Sequence, residues 1–361
     1  MKKKLCAALA VTGFISSNQV FAEVTVFGVA DAAFRTVSGD GTKRTNDVIS
    51  GGNLASRIGF RGSEKLDNGL KVSFWLEAGF DIASGRGEAT STDNRSLTKA
   101  SGLAFNRRST LSVEGGFGEL RIGRDLVPSY RNHSVFDPFG NRGVAYGNGV
   151  TLALASASAV RTNVRASNSI AYHLPKMENG IYGTVMYANA GLTSGEHQSD
   201  GTYIGARLGY KKDRLDVAAG YGKSTMKAAP QVRGYYNNIN AGASWNFDFM
   251  KLSVLWSREK ITLNARKNSS LLVGVKVPVG SGEIRASYIH SKVTDNKTLD
   301  AAANRFGLGY LHKLSKRTSV YTTYARTFNN KGAEAYFSNG QKATAIGGNT
   351  SGFNMGITHI F

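Results

Sequence analysis

The sequence predicts an all-β fold, a sixteen-stranded antiparallel transmembrane β-barrel. Three observations lead there. Apolar and polar residues alternate with a period of two along nearly the whole chain. Short turn-rich links alternate with long polar ones, as in a barrel with turns at one rim and loops at the other. The chain ends on Phe361, the last residue of an alternating run.

The first 22 residues stand apart. Lys2, Lys3 and Lys4 form a positive head, Leu5 to Ile15 an apolar stretch, and Val20-Phe21-Ala22 a small-residue cleavage pattern. The pattern predicts a cleaved signal peptide over 1–22 and a single barrel domain over 23–361; the competing reading is an N-terminal core helix. The only cysteine, Cys6, precedes the apolar stretch, so the mature chain would have no disulfide and no cysteine-type zinc site. Removing 1–22 takes away three lysines and no acid, so the +20 of the full chain falls to +17. No other stretch approaches eighteen consecutive apolar residues. A mean hydropathy of −0.24 is that of a soluble protein but also of a barrel with a polar lumen.

The strands follow in order. From Val24 to Arg35 one face carries Val24, Val26 and Phe34, and the other Phe27, Asp31 and Arg35. From Leu54 to Arg61, Leu54, Ile58 and Phe60 oppose Arg57 and Arg61. From Lys71 to Asp81, Val72, Phe74 and Leu76 oppose Ser73, Trp75 and Glu77. The alternation recurs around Leu111, Leu120, Ile170, Ile181, Ile204, Leu215 and Ile239. It continues around Leu252, Leu271, Ile284, Phe306, Val320 and Phe353, which completes sixteen segments. Short links fall at 67–69, 115–118, 178–180 and 279–282; long ones fall near 84–104, 126–160, 190–200, 224–233, 259–268, 294–301 and 329–350. A secreted β-sandwich would not need so many large apolar residues on one face of every strand, and it would leave edges to protect.

Several stretches resemble the general porins of Gram-negative bacteria, in particular the β-proteobacterial branch and its anion-selective members. They are Val24-Thr-Val-Phe-Gly-Val-Ala-Asp31, Ser56-Arg-Ile-Gly-Phe-Arg-Gly-Ser-Glu64, Asn68 to Glu77, Arg107-Arg-Ser-Thr-Leu111, Gly118 to Asp125 and the closing strand. The resemblance implies a homotrimer in the outer membrane, among lipid and lipopolysaccharide. It implies a long third loop folded into each lumen as a constriction, and a C-terminal Phe361 read by the barrel-insertion machinery. Val135-Phe-Asp-Pro-Phe-Gly140, in the long link after the fifth strand, is similar to the tip of such a loop.

Alternation assigns inward side chains. Arg35, Arg57, Arg61, Arg108 and Arg121 should face the lumen on the first five strands, and Arg161, Arg165, Arg207, Arg285 and Arg305 on later ones. Arginines around a narrow wet passage favour anions, because guanidinium stays charged and low-dielectric walls concentrate the field; singly, each could be a solvated or salt-bridged wall residue. The resemblance places Arg57 and the Arg107–Arg108 pair at the constriction; parity puts Arg107 on the lipid face. Asp137 is expected either to oppose the arginines across the passage or to form the turn before Pro138.

No catalytic constellation is present: the six histidines make no HExxH, CxxC is absent, and Gly115-Gly-Phe-Gly118 lacks a phosphate loop's Lys-Ser/Thr. No cofactor or metal is expected. The positive charge comes with no aromatic–basic platform for nucleic acid. The sequence therefore points to a passive channel for small hydrophilic solutes and ions with an anion preference. The alternatives are a substrate-specific channel, which would need a row of lumenal aromatics where Phe27, Trp75, Tyr182 and Tyr203 look scattered, and a barrel enzyme.

Overall fold

The computed structural model describes residues 24–88, 92–94, 102–157, 160–190, 200–229 and 232–361. The expected leader over 1–22, and much of the links near 84–104 and 190–200, lie outside them. Of its strands, β1 (Thr25–Gly39), β2 (Thr45–Ser50), β3 (Arg57–Lys65), β4 (Lys71–Asp81), β5 (Arg86–Gly87), β6 (Arg108–Gly115) and β7 (Gly118–Leu126) precede a helical insertion. After it come β8 (Arg165–His173), β9 (Ile181–Ala188), β10 (Tyr203–Lys212), β11 (Leu215–Ala229), β12 (Val232–Asn246) and β13 (Lys251–Ile261). The last are β14 (Lys267–Val279), β15 (Gly282–Thr294), β16 (Asp300–Lys313), β17 (Thr318–Asn329) and β18 (Thr350–Ile360). The short β2 and β5 are hairpin extensions at the long-loop rim; the other sixteen are the wall, each antiparallel to its neighbours.

The wall closes on itself. β1 pairs with β18 from Val29↔Ile360 to Gly39↔Thr350, and Gly28 and Phe361 exchange backbone hydrogen bonds of 2.9 and 3.1 Å. Closure leaves no sheet edge unpaired, the condition for crossing hydrocarbon. Alternation supplies the two faces. Val26, Leu208 and Met355 are 55%, 61% and 54% exposed on the outside, and comparable side chains ring the barrel. A soluble monomer does not expose an apolar surface that large, so the band requires lipid.

The insertion over 127–164 holds α1 (Pro128–Val135), α2 (Asn148–Thr151) and α3 (Ala153–Ala157). Pro128 at the first helical position sets φ for the turn, and Val127 before it is extended. The insertion runs inside the barrel: α1 packs against β10, β11 and β12, α2 against β14 and β15, and α3 against β13 and β14. A hydrophobic cluster of Phe136, Val150, Leu154, Leu255, Leu272 and Ile289 joins it to the wall.

Two local expectations change. The second strand was expected from Leu54 but begins at Arg57. The Asp31 carboxylate accepts from the backbone N–H of Gly52 at 2.7 Å and Leu54 at 3.0 Å, which bends 51–56 away from extended pairing. Arg161 lies in the bend before β8, not on a strand.

Candidate functional site

The inserted loop divides the lumen. Towards the short-turn rim lies a cavity of about 530 Å³ lined by Arg57, Arg107, Arg142, Arg165, Lys276 and Arg285, with Lys313, Lys316 and Arg317 at its mouth and, among the described residues, no carboxylate in its lining. Towards the long loops lies a vestibule of about 780 Å³ containing Arg35, Asp47, Arg86, Glu88 and Tyr146. Arg142, carried by the inserted loop, and Ala55 line both spaces, which places them at the passage between the two. Burial and the neighbouring Arg107 guanidinium hold the Arg142 pKa below the usual arginine value.

The six expected site residues separate into distinct environments. Arg57 lines the cavity; its Nη1 is 3.9 Å from Glu77. Arg61 and Arg108 lie 5.3 and 4.5 Å from the Trp75 ring centroid, and Arg61 is also 5.3 Å from that of Phe27. Phe27 and Trp75 meet edge-on at 5.0 Å. Two of the aromatics that look scattered in sequence thus form one platform for two guanidinium groups, because Arg61↔Trp75 and Trp75↔Thr110 are cross-strand partners. Arg121 is held by Glu119 at 2.8 Å and by Asp125 at 2.5 Å, so its charge is locally compensated. Arg35 pairs with Asp47 in the vestibule, its Nε 3.0 Å from Oδ1.

Among the described residues Asp137 makes no ion pair across the passage; the cations that feel its charge are Lys276 and the buried Arg305. Its carboxylate accepts from the backbone N–H groups of Phe139, Asn141 and Gly147, each at 2.9 Å, and the residue is 3% exposed. Burial raises its pKa, against the opposing pull of those three donors. The turn-forming reading is the one its geometry fits.

Arg107 is not on the lipid face. β6 starts one residue later, so strand parity does not reach it. The side chain is buried, with Nε 2.6 Å from Glu77 Oε1, and it lines the cavity. Among the other arginines, Arg165 donates to the Arg107 carbonyl at 2.8 Å, and Arg285 binds Glu283 at 2.7 Å and Asn53 at 2.9 Å. Arg207 donates to Asn132 on α1 at 2.7 Å and lies over Tyr182 at 4.6 Å. Arg305 is inward but fully buried: it donates to Thr327, to the Tyr146 carbonyl and to the Ser338 carbonyl. It fastens the inserted loop to the wall rather than meeting solute.

Other loop anchors carry no signal in sequence. Glu259, fully buried on β13, accepts from the N–H groups of Leu154 at 3.1 Å and Ala155 at 3.0 Å, from Asn268 at 2.8 Å and from Tyr236 at 2.9 Å. Asn240 on β12 binds Asn132 and the Ser129 carbonyl, each at 2.8 Å. His133 meets Thr151 at 3.0 Å, and burial pushes its imidazole down to about 4. An inward Glu or Asn on a strand looks like any lumenal polar residue; only the loop's position shows that it is an anchor.

The chain matches the Gram-negative porin family over residues 5–333. It is 34% identical to outer membrane porin protein 32 of Delftia acidovorans, with both chains covered completely. It is 27% identical to an outer membrane porin protein of Bordetella pertussis, again over the full length of both. Among solved structures, an anion-selective porin from Comamonas acidovorans superimposes with a TM-score of 0.78 at 32% identity, covering 94% of this chain and all of that one. The OmpF porin of Salmonella typhi shares the fold at a TM-score of 0.68 and 16% identity, over 94% of this chain and 98% of its own. With a family match across most of its length and a one-third-identical relative aligned end to end, this chain belongs to the Gram-negative porin family.

Proposed function

We propose that this outer-membrane diffusion channel prefers anions, and that Arg142 and Arg165, which have no ion pair among the described residues, contribute most to the preference, with Arg57, Arg107, Lys276 and Arg285, each within 4 Å of an acid, contributing less. The observation that carries the reading is the cavity they line, whose lining holds no carboxylate among the described residues. At an effective dielectric of about 20, a unit charge attracts an anion at ~4 Å by roughly 4 kcal/mol before desolvation. Much of that is offset as the ion sheds water, and salt screens the rest over ~8 Å. What remains is a modest, salt-sensitive preference rather than a tight site. The anion-selective title of the Comamonas structure supports the same reading. Arg61 and Arg108, on their aromatic platform, add positive potential along the wall. Arg121 and Arg35, matched by acids, contribute less, and Asp137 shapes the loop.

The reading extends to a homotrimer among lipid and lipopolysaccharide, made with a leader over 1–22 that is cleaved after Ala22 and inserted through recognition of Phe361. It is a channel without catalysis. Reversal potentials across planar bilayers in a salt gradient test selectivity: Arg57→Glu with Arg142→Glu should move the potential toward cations, and an unchanged potential would place the filter elsewhere. Mass measurement in mild detergent tests the trimer, and a fully conducting monomer would count against it.

A further inference from the structure

We infer that Asp31, a buried carboxylate outside the lining of both cavities, positions three cations of the passage and thereby sets how strongly the channel prefers anions. The inference rests on the anion reading above and deepens it.

The register of β1 leaves a gap at this residue. Val29 is the partner of Arg57 on β3, and Ala32 is the partner of Ser50 on β2. Only Ala30 and Asp31 lie between those positions on β1, whereas six residues, 51–56, lie between Ser50 and Arg57. The surplus cannot stay in the sheet, and a bulge of this kind bends a strand and re-aims its side chains. This one turns into the lumen. Asn53, Leu54 and Ala55 line the cavity towards the short-turn rim, and Ala55 also lines the vestibule. The passage therefore has two lips, Arg142 on the inserted loop and Ala55 on the bulge.

A buried bulge must find acceptors for its backbone N–H groups. Asp31, 0% exposed, supplies them. Its carboxylate accepts from the N–H groups of Gly52 at 2.7 Å, Asn53 at 3.3 Å and Leu54 at 3.0 Å. It also accepts from the hydroxyls of Tyr321 at 2.7 Å and Thr358 at 2.5 Å, which tie it to β17 and β18.

Three links carry that placement to the cations. Thr358 Oγ1 accepts from Asn53 Nδ2 at 3.1 Å, and Asn53 Oδ1 accepts from Arg285 Nη1 at 2.9 Å. A Cβ at Gly143 would come 2.4 Å from the Gly52 carbonyl oxygen, so the bulge abuts the inserted loop at the residue after Arg142. Arg57 is the first residue of β3, directly after the bulge. One carboxylate thus fixes the ground from which Arg57, Arg142 and Arg285 reach into the lumen.

The sign of the effect separates positioning from charge. Were Asp31 to act through its negative field alone, removing the charge would strengthen the anion preference. Asp31→Asn keeps the volume but sets an amide nitrogen among donors that need an acceptor, so the bulge loosens and the preference should weaken.

The test is the reversal potential of the full-length protein across planar bilayers in a potassium chloride gradient. In Asp31→Asn the chloride-to-potassium permeability ratio should fall by roughly two- to fivefold, the coupling expected within one hydrogen-bond network. Asn53→Leu should lower it less, and combined with Asp31→Asn should lower it no further. A role in folding alone would reduce the number of inserted channels without changing their ratio. Should Asp31→Asn give no inserted channels, Thr358→Val, which leaves the other four donors on the carboxylate but cuts its link to Asn53, should lower the ratio in the same direction. A wild-type channel without anion preference overturns the anion reading and this inference with it. A wild-type preference that Asp31→Asn, or Thr358→Val in its place, leaves unchanged or strengthens overturns this inference alone, as do losses that add in the double variant.

Discussion

At the scale of single residues, charge in the lumen is sorted by its partners. Arg121 and Arg35 sit against carboxylates, whereas Arg142, at the junction of two cavities, has no ion pair among the described residues. Arg142→Glu should therefore shift the reversal potential further than Arg121→Glu, whose loss chiefly frees Glu119 and Asp125. Arg107→Glu would bring a third acid beside Glu77 and Glu88 in the interior and should lower stability. His133 gives the pH dependence. Its folded pKa of about 4 lies below the ordinary 6.5, so below pH 6.5 the undocked loop takes up a proton that the docked loop refuses. The His133 contribution to docking is fully present above pH 6.5 and is lost as pH falls toward 4, on the order of 3 kcal/mol in total. Current fluctuations should grow across that window and flatten in His133→Gln, which retains a partner for Thr151.

At the scale of elements, the inserted loop is held by wall residues that must stay small or polar. A Cβ at Gly242 on β12 would come 2.1 Å from the Phe136 ring. Gly242→Leu should thus displace the loop while leaving the β12 pairings in place, at a cost of about 1–3 kcal/mol. Glu259→Ala would leave the Leu154 and Ala155 N–H groups and the Asn268 amide without their acceptor, about 1–3 kcal/mol for each buried group. Both variants should raise single-channel conductance and expose the 127–164 segment to protease. An unaltered conductance would mean that the loop does not narrow the passage. Alternation made the sixteen wall strands legible, including the inward set of Arg57, Arg61, Arg108 and Arg121. It could not show the short α2 and α3, because four- and five-residue helices have no period to read.

At the scale of the whole molecule, the closure of β1 on β18 is the contact farthest apart in sequence. Cysteines at the partners Arg35 and Asn354 should crosslink in the folded barrel, since opposite residues of an antiparallel pair lie within disulfide range. Replacing Cys6 by serine in the same variant makes the crosslink unambiguous, and the absence of the crosslink would refute the closing register. The sequence by itself determined the strands, their two faces and the basic character of the lumen, because the period of two and the identity of side chains are local properties. It determined the Val135–Gly140 tip only by resemblance. The tertiary structure alone decided which basic residues line the open spaces of the lumen. Arg107 enters the cavity because β6 starts after it, Arg305 leaves the pathway because the loop covers it, and Asp137 turns inward onto three backbone N–H groups. The last two depend on where a thirty-eight-residue link over 127–164 comes to rest inside a closed wall, and no spacing along the chain encodes a contact made across the lumen.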